Sequence, residues 1–322
     1  RETPFQRGLS PPASKRLYEV KMEENKMGTM GIGKLVFNMS LPMMISMIVQ
    51  ALYNVVDSVF VAKIGEDALT AVSLAFPMQN FMIAVCTGTG VGVNALLSKR
   101  LGMKDGDGAN RVANNGVYLA AFSYVLFLLA GLFVAEPFFR LQNDTQTIVD
   151  GGITYLRIVM GGSFGLCAQI IMERLVQSTG RTVIAMITQG IGALINIVLD
   201  LLLIVGLGLG VAGAAIATLL SQGISAVIVT VFLMRQKDLC DFSLKEIRIH
   251  PRLLKSELLL GLPGGFQYAM YSISNMIIQS ALNKFGTDTV AAWAAYGKLD
   301  AIVWMVSGAF GIAITTFVGQ NY

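Results

Sequence analysis

Long uncharged apolar runs separated by short polar segments dominate the chain. Five of them, Leu35 to Val56, Ala68 to Ser98, Val112 to Ala135, Leu258 to Asn283 and Ala301 to Tyr322, reach the roughly 20 residues that a bilayer-spanning helix requires. The run from Asp150 to Met172 is interrupted only by Arg157. The run from Thr182 to Met234 is broken only by Asp200, and Gly206, Gly208 and Gly210 divide it into two spans. The pattern predicts eight transmembrane helices near 35–62, 68–99, 110–135, 147–175, 182–206, 211–234, 256–284 and 289–319, an all-α polytopic membrane protein.

Composition agrees. Hydrophobic residues make up 54% of the 322 residues and charged ones only 14%, with a mean hydropathy of +0.63. Soluble domains carry about 25% charged residues, and no soluble core of this size dispenses with so much polar shell. The placement of the charges orients the spans. The N-terminal tail and the loops 99–111, 173–181 and 235–255 hold 19 of the 24 Lys and Arg, whereas the opposite loops hold only Lys63, Arg140 and Lys284. By the positive-inside rule the N-terminus is expected in the cytoplasm, with a bacterial plasma membrane as the expected location. The tail 1–34 lacks the apolar core of a signal peptide. Cys86, Cys167 and Cys240 show no paired spacing, so the sequence suggests neither a disulfide framework nor a zinc site.

The chain also repeats itself. A shift of 221 residues lays Leu41 and Pro42 on Leu262 and Pro263, Asn54 on Asn275, Lys63 on Lys284, Gly65 on Gly286 and Asp67 on Asp288. Ala71, Val85 and Gly90 fall on Ala292, Val306 and Gly311 without a gap. The first and seventh predicted helices run in the same direction, so this is a parallel repeat of a six-helix unit, the plan of two-lobed alternating-access transporters. The expected organisation is a cytoplasmic tail 1–34, a six-helix N-lobe 35–234, a cytoplasmic linker 235–255 and the first two helices of a C-lobe, 256–322. Only two of the second unit's six helices are present, so the sequence reads as C-terminally truncated.

Polar residues inside the spans are costly and are functional candidates by default. Helix one carries Gln50, Tyr53, Asn54 and Asp57 at i, i+3, i+4 and i+7, one polar stripe on one face. Asn196 and Asp200 lie four apart on helix five, and Thr218 and Gln222 repeat that spacing on helix six. At 1.5 Å per residue, Asp57, Asp200 and Thr218 lie about 8, 9 and 10 Å from the outer ends of their helices, and Tyr155 reaches a similar level. Such a layer of oxygens suits a proton or a small hard cation such as Na⁺. Low dielectric disfavours the charged form of a carboxyl group, and a second carboxylate nearby does so again. Asp57 and Asp200 are therefore expected to exchange protons near physiological pH, unless they only satisfy polar neighbours in a packed bundle. Pro42 removes a helix hydrogen bond and favours a bend, either static or coupled to protonation of Asp57. Lys298 and Asp300, two apart on helix eight, line a C-lobe cavity or form structural pairs; the sequence leaves both open.

These residues resemble the multidrug and toxic compound extrusion (MATE) family. The matching segments are Leu41-Pro42, Ala51 through Asp57 and on to Gly65, Ala68 to Leu74, Asn196 to Asp200, the turn 206–213 and Val318 to Asn321. The resemblance implies twelve helices in two lobes around an outward-opening cavity. In the DinF-like branch it implies a first-lobe cation site at Asp57, Tyr155, Asn196, Asp200 and Thr218, with bending at Pro42 linked to coupling. The NorM-like branch carries an acidic residue in helix seven about where Tyr271 stands here, so the DinF-like branch fits better.

The expected function is export of small amphipathic, cationic substrates driven by inward H⁺ or Na⁺, with no cofactor beyond the coupling ion and no nucleotide or nucleic-acid partner. Gly208 to Gly213 satisfies G-x-G-x-x-G, but it joins two spans rather than opening a βαβ unit and reads as a turn. A lipid-linked saccharide flippase of the same superfamily is the alternative, for which Arg157 and Lys298 are the available cavity cations. An intramembrane enzyme is the more distant rival, and His250, in a basic loop, offers it little. Met39, Met43, Met44 and Met47 read as packing, although flexible Met also suits varied substrates.

Overall fold

The computed structural model describes residues 30–142, 144–235, 249–282 and 287–321. The tail before Met30 and positions 236–248 of the expected linker lie outside the described residues. Among the described residues ten helices follow one another: α1 (Ile32–Ala62), α2 (Glu66–Gly102), α3 (Gly106–Phe133), α4 (Ala135–Arg140), α5 (Gln146–Gly161), α6 (Phe164–Ser178), α7 (Thr182–Asp200), α8 (Gly210–Arg235), α9 (Pro251–Leu282) and α10 (Thr287–Asn321). A π-helical segment, Leu201–Gly206, continues α7. Six of the helices are long and apolar enough to cross a membrane, counting α7 with its π segment and α10 from Leu299, and the α5–α6 pair together makes a seventh.

Three predicted spans differ: α9, on the span expected over 256–284, is not among the helices apolar enough to cross, and two others differ in detail. The span expected over 147–175 is broken: α5 and α6 meet at 46° across Gly161, Gly162 and Ser163. The break has a packing cause, because a side chain at Gly162 would run into Leu219 of α8. The span expected to end at 135 stops at Phe133, and a single extra helix, α4, follows, with Pro137 near its start. Its Phe139 ring is buried against Gly152 of α5, where only a glycine leaves room.

Helices α1 to α8 form one bundle around a core that includes Phe127, Phe139, Leu156, Met160, Ile171 and Leu175. In a bilayer lipid tails are as apolar as Leu, so dispersion and close fit hold such a core rather than escape from water. Helix α1 packs chiefly on α7 and α10 and little on its sequence neighbour α2. Helices α9 and α10 each lean on this bundle, α9 on α2 and α10 on α2 and α1, with little contact between the two, and their bounds follow the 221-residue shift: α2 begins at Glu66 and α10 at Thr287.

The seam between pair and bundle lies at the end where α1 begins, the end rich in Lys and Arg. Gly88 and Gly92 of α2 face Gly261 and Gly265 of α9 so closely that a Cβ on Gly88 would stand 2.6 Å from the Gly265 Cα. These small-xxx-small pairs let two backbones touch. Next to them, Leu35, Met39 and Met43 of α1 pack with Ala309 and Ala313 of α10, with Met44 and Met47 against this cluster. The methionines of α1 are packing here. Towards the other end the pair is exposed, as Phe266, Ile277, Leu299 and Val303 show.

Candidate functional site

Helices α1 and α7 bring the two aspartates together. Asp200 ends the regular part of α7 with no solvent exposure, and Asn196, one turn earlier, is 1% exposed. After Asp200 the backbone relaxes into i→i+5 bonding, with Leu207 N–H donating to the Leu202 carbonyl at 2.9 Å. Such π turns recur at functional sites because they re-aim side chains at the cost of regular bonding. Asp57 of α1, partly buried, lies close enough to Asp200 for Asp200 to feel its charge. Tyr155 of α5, 2% exposed, is in the fields of both and accepts a hydrogen bond from Gln79 Nε2 at 3.0 Å.

Five buried polar atoms in this group have no hydrogen-bond partner among the described residues: Asp57 Oδ1, both Asp200 carboxyl oxygens, and Asn196 Oδ1 and Nδ2. Buried polar atoms are nearly always paired, so a cluster of orphans marks a place for an ion or a proton. Four of the five are oxygens, the donor set of a hard cation. Thr218, on α8, turns its hydroxyl back onto the Ala214 carbonyl at 3.0 Å.

The stripe on α1 divides. Gln50 and Tyr53 are partly buried and approach one another, while Asn54 is exposed and stands apart from the buried group. Tyr53 also reaches Gln222 of α8 and feels Glu173 of α6. Glu173 accepts from Gln169 Nε2 at 3.0 Å, and the same amide donates to Gln189 Oε1 at 2.8 Å. A polar track thus runs from the aspartates towards the basic end. Gln79, Gln169, Glu173 and Gln189 escape the sequence reading. Gln79, with Asn80 beside it, Gln169 and Gln189 lie within predicted spans, and Glu173 falls where the predicted span 147–175 meets the loop 173–181; amide residues inside spans were the signal available.

Pro42 is buried within α1, which continues as one helix through it. Arg157 pairs with Glu136 at 3.2 Å, both half exposed, so its cation is engaged away from the aspartates and the saccharide-flippase reading loses that support. Asp300 accepts from Tyr271 Oη at 2.8 Å and from Tyr296 Oη at 3.4 Å, with Trp304 stacked 4.8 Å from Tyr271. The side chain of Lys298 lies outside the described residues. Gly208 and Gly210, at φ of 64° and 58°, form the turn into α8, where left-handed backbone favours glycine. Cys86 and Cys167, whose spacing suggests no pairing, are brought together by α2 and α6 as buried free thiols with sulfurs 3.1 Å apart.

Comparison with known proteins completes the picture. The chain is 27% identical over 285 residues to the probable multidrug resistance protein YpnP of Bacillus subtilis, covering 88% of this chain and 63% of that protein. It is 26% identical over 297 residues to the FAD transporter of Shewanella oneidensis, covering 90% and 65%. The chain therefore spans just under two thirds of these relatives. Its fold superposes on a MOP superfamily transporter from Pyrococcus furiosus with a TM-score of 0.86 and 28% identity, covering 93% of this chain and 68% of that one. Residues 42–202, from the proline of α1 past Asp200, match the MatE family, and the chain belongs to it.

Proposed function

We propose that this chain is part of a secondary active exporter that moves small amphipathic organic cations out of a bacterial cell in exchange for inward H⁺ or Na⁺. The observation that carries the reading is the cluster of unpaired buried oxygens on Asp57, Asn196 and Asp200, a site that binds positive charge and little else. Tyr155 and Thr218 complete it, and Gln50, Tyr53 and the track to Glu173 extend it. The carboxyl groups of Asp57 and Asp200 favour cationic substrates, and relatives named for multidrug resistance support varied small organic molecules.

In this reading α1–α8 form one lobe and α9–α10 begin the second, related by the 221-residue repeat, with the basic end cytoplasmic. The seam is closed at that end and the aspartates lie towards the open one, an outward-facing arrangement. Binding of H⁺ or Na⁺ between Asp57 and Asp200 draws α1 and α7 together, and Pro42, with one backbone bond fewer, is where α1 yields. Each unit charge crossing 150 mV supplies about 3.5 kcal/mol, which cancels when one proton is exchanged for one monovalent substrate cation.

The test loads inverted vesicles carrying the full-length protein with a fluorescent organic cation and imposes a pH or Na⁺ gradient. Asp57→Asn and Asp200→Asn are each expected to lower gradient-driven transport at least tenfold, about 1.4 kcal/mol of coupling. Normal transport by both variants would end the assignment.

A further inference from the structure

Helix α9 carries an acid that the aspartate site does not use. Glu257, in its second turn, has no solvent exposure, and among the described residues neither carboxyl oxygen has a hydrogen-bond partner within bonding geometry. It is closed in by the seam itself. Its backbone carbonyl lies against Gly92 of α2, and one turn on Gly261 meets Gly88. From α3 the amide of Asn115 faces the carboxyl group; its Oδ1 accepts from His250 N–H at 2.9 Å and its Nδ2 donates to the His250 carbonyl at 3.2 Å, which leaves one neutral N–H as the donor nearest Glu257.

The charged groups of this end are Lys99, Arg100, Lys104 and Asp105 at the end of α2, Asp107 and Arg111 on α3, Glu173 and Arg174 on α6, Arg181 ahead of α7, Arg235 ending α8, and Arg252 and Lys255 on α9, with His250 just ahead of α9; Arg174 lies against Gly90 of α2 and its guanidinium donates to Gln177 Oε1 at 3.0 Å. Among the described residues none of these Lys or Arg side chains forms an ion pair with Glu257; Arg100 is taken by Asp105 at 2.8 Å. Around it the seam is held by groups without charge. Thr316 of α10 donates to Asn94 Oδ1 at 3.4 Å, and Gln320 donates to the Ser178 carbonyl at 2.5 Å.

An ionised carboxylate cannot be sealed in such a place with no counter-ion and at most one neutral amide beside it, whereas the neutral acid can. We infer that Glu257 is a second proton-binding site, which takes up a proton when the α9–α10 pair closes on the α1–α8 bundle and releases it when the seam opens. The inference rests on the two-lobe reading above but not on the aspartates. Acid at the basic end then favours the closed seam and alkali favours opening, because water reaching the parted seam solvates the carboxylate.

Spin labels on Met103→Cys and Lys255→Cys, both at exposed positions of this end on opposite sides of the seam, report its closure in the full-length protein in lipid nanodiscs, with the native cysteines replaced by serine. Between pH 5 and pH 9 the ratio of closed to open distances is expected to fall at least tenfold in the parent. It should change less than twofold in Glu257→Gln and in Glu257→Met, the latter an apolar filling of the same space should the amide fold poorly. His250→Gln, Asp57→Asn and Asp200→Asn are each expected to keep the parental response, which separates this site from the transport site. A parent without pH response, or Glu257 variants that open as the parent does, overturns the inference.

Discussion

The α1–α8 bundle and the α9–α10 pair begin from one sequence pattern and end in different chemistry. Under the 221-residue shift their helices keep the same starts and lengths to within two residues, and a proline sits inside both α1 and α9. The side chains that matter have moved. Asp57 of α1 corresponds to Ile278 of α9, while Gln79 of α2, which holds Tyr155, corresponds to Asp300 of α10, which is held by Tyr271. The acid has passed from the first helix of the unit to the second. A helical scaffold set by apolar length and glycine contact tolerates this exchange, since neither span's existence depends on which helix bears the carboxylate.

Burial separates the two regions further. Leu156 of α5 is fully enclosed by the bundle, whereas Leu299 of α10 is 67% exposed. Leu156→Ala is expected to cost about 2–5 kcal/mol, since a cavity forfeits every contact that lined it, and Leu299→Ala less than about 0.5 kcal/mol. Unfolding midpoints of the chain in detergent check this. Equal losses would mean that the pair is as tightly enclosed as the bundle.

The same contrast explains what the sequence could and could not disclose. Each described helix lies on a predicted span apart from α4, because apolar run length and charge asymmetry are local properties of the chain. Asp57, Asp200 and Asn196 were legible for the same reason: polar groups in apolar runs stand out, and helical spacing gives their faces. Depth arithmetic placed Tyr155 at their level. Contacts between distant segments were not legible. The Cys86–Cys167 approach depends on how α6 leaves the break at Gly162, and Asn54, on paper a member of the stripe, is turned out by the rotation of α1. Glu173 and Glu257 sit close to the ends of predicted spans, where a charge does not stand out, because a helix can carry an acid beyond the apolar run and still bury it against a neighbour.

Glycine contact at the seam should give effects of opposite sign in the two settings. A methyl at Gly92 would collide with the Glu257 carbonyl, and both partners are backbone, so neither side can turn away. Gly92→Ala is expected to weaken the packing of α9 on α2 by about 1–3 kcal/mol, measured as faster hydrogen exchange along 251–265. Gly190 of α7 has nothing within 4 Å of a built Cβ. There alanine is expected to stabilise the helix by about 0.5–1 kcal/mol. A protected α9 in Gly92→Ala would show that the pair can slide on the bundle without loss.

The smallest effects concern how helices begin at the basic end. Helix α3 is capped by its own sequence: Asp105 Oδ1 accepts from Gly108 N–H at 2.9 Å, and Oδ2 pairs with Arg100. The Gly108 amide, aided by Arg100, holds the Asp105 carboxyl below its usual range. Its folded value is thus depressed, so the stabilisation is present above the unfolded value near 3.9 and fades as pH falls through the lower folded value. Asp105→Ala should cost about 1 kcal/mol at pH 7, the exposed ion pair adding little, and nothing once acid has neutralised the carboxyl group in the folded parent. Helix α9 is started instead by Asn115 of α3, which has no charge to lose. Asn115→Ala leaves the His250 backbone groups without their amide partner, at about 1–3 kcal/mol, and that gap should be the same at neutral pH and in acid. If the Asp105→Ala gap also survives in acid, the cap acts through hydrogen-bond geometry that the neutral acid retains, and the charge that distinguishes the start of α3 from that of α9 carries no weight.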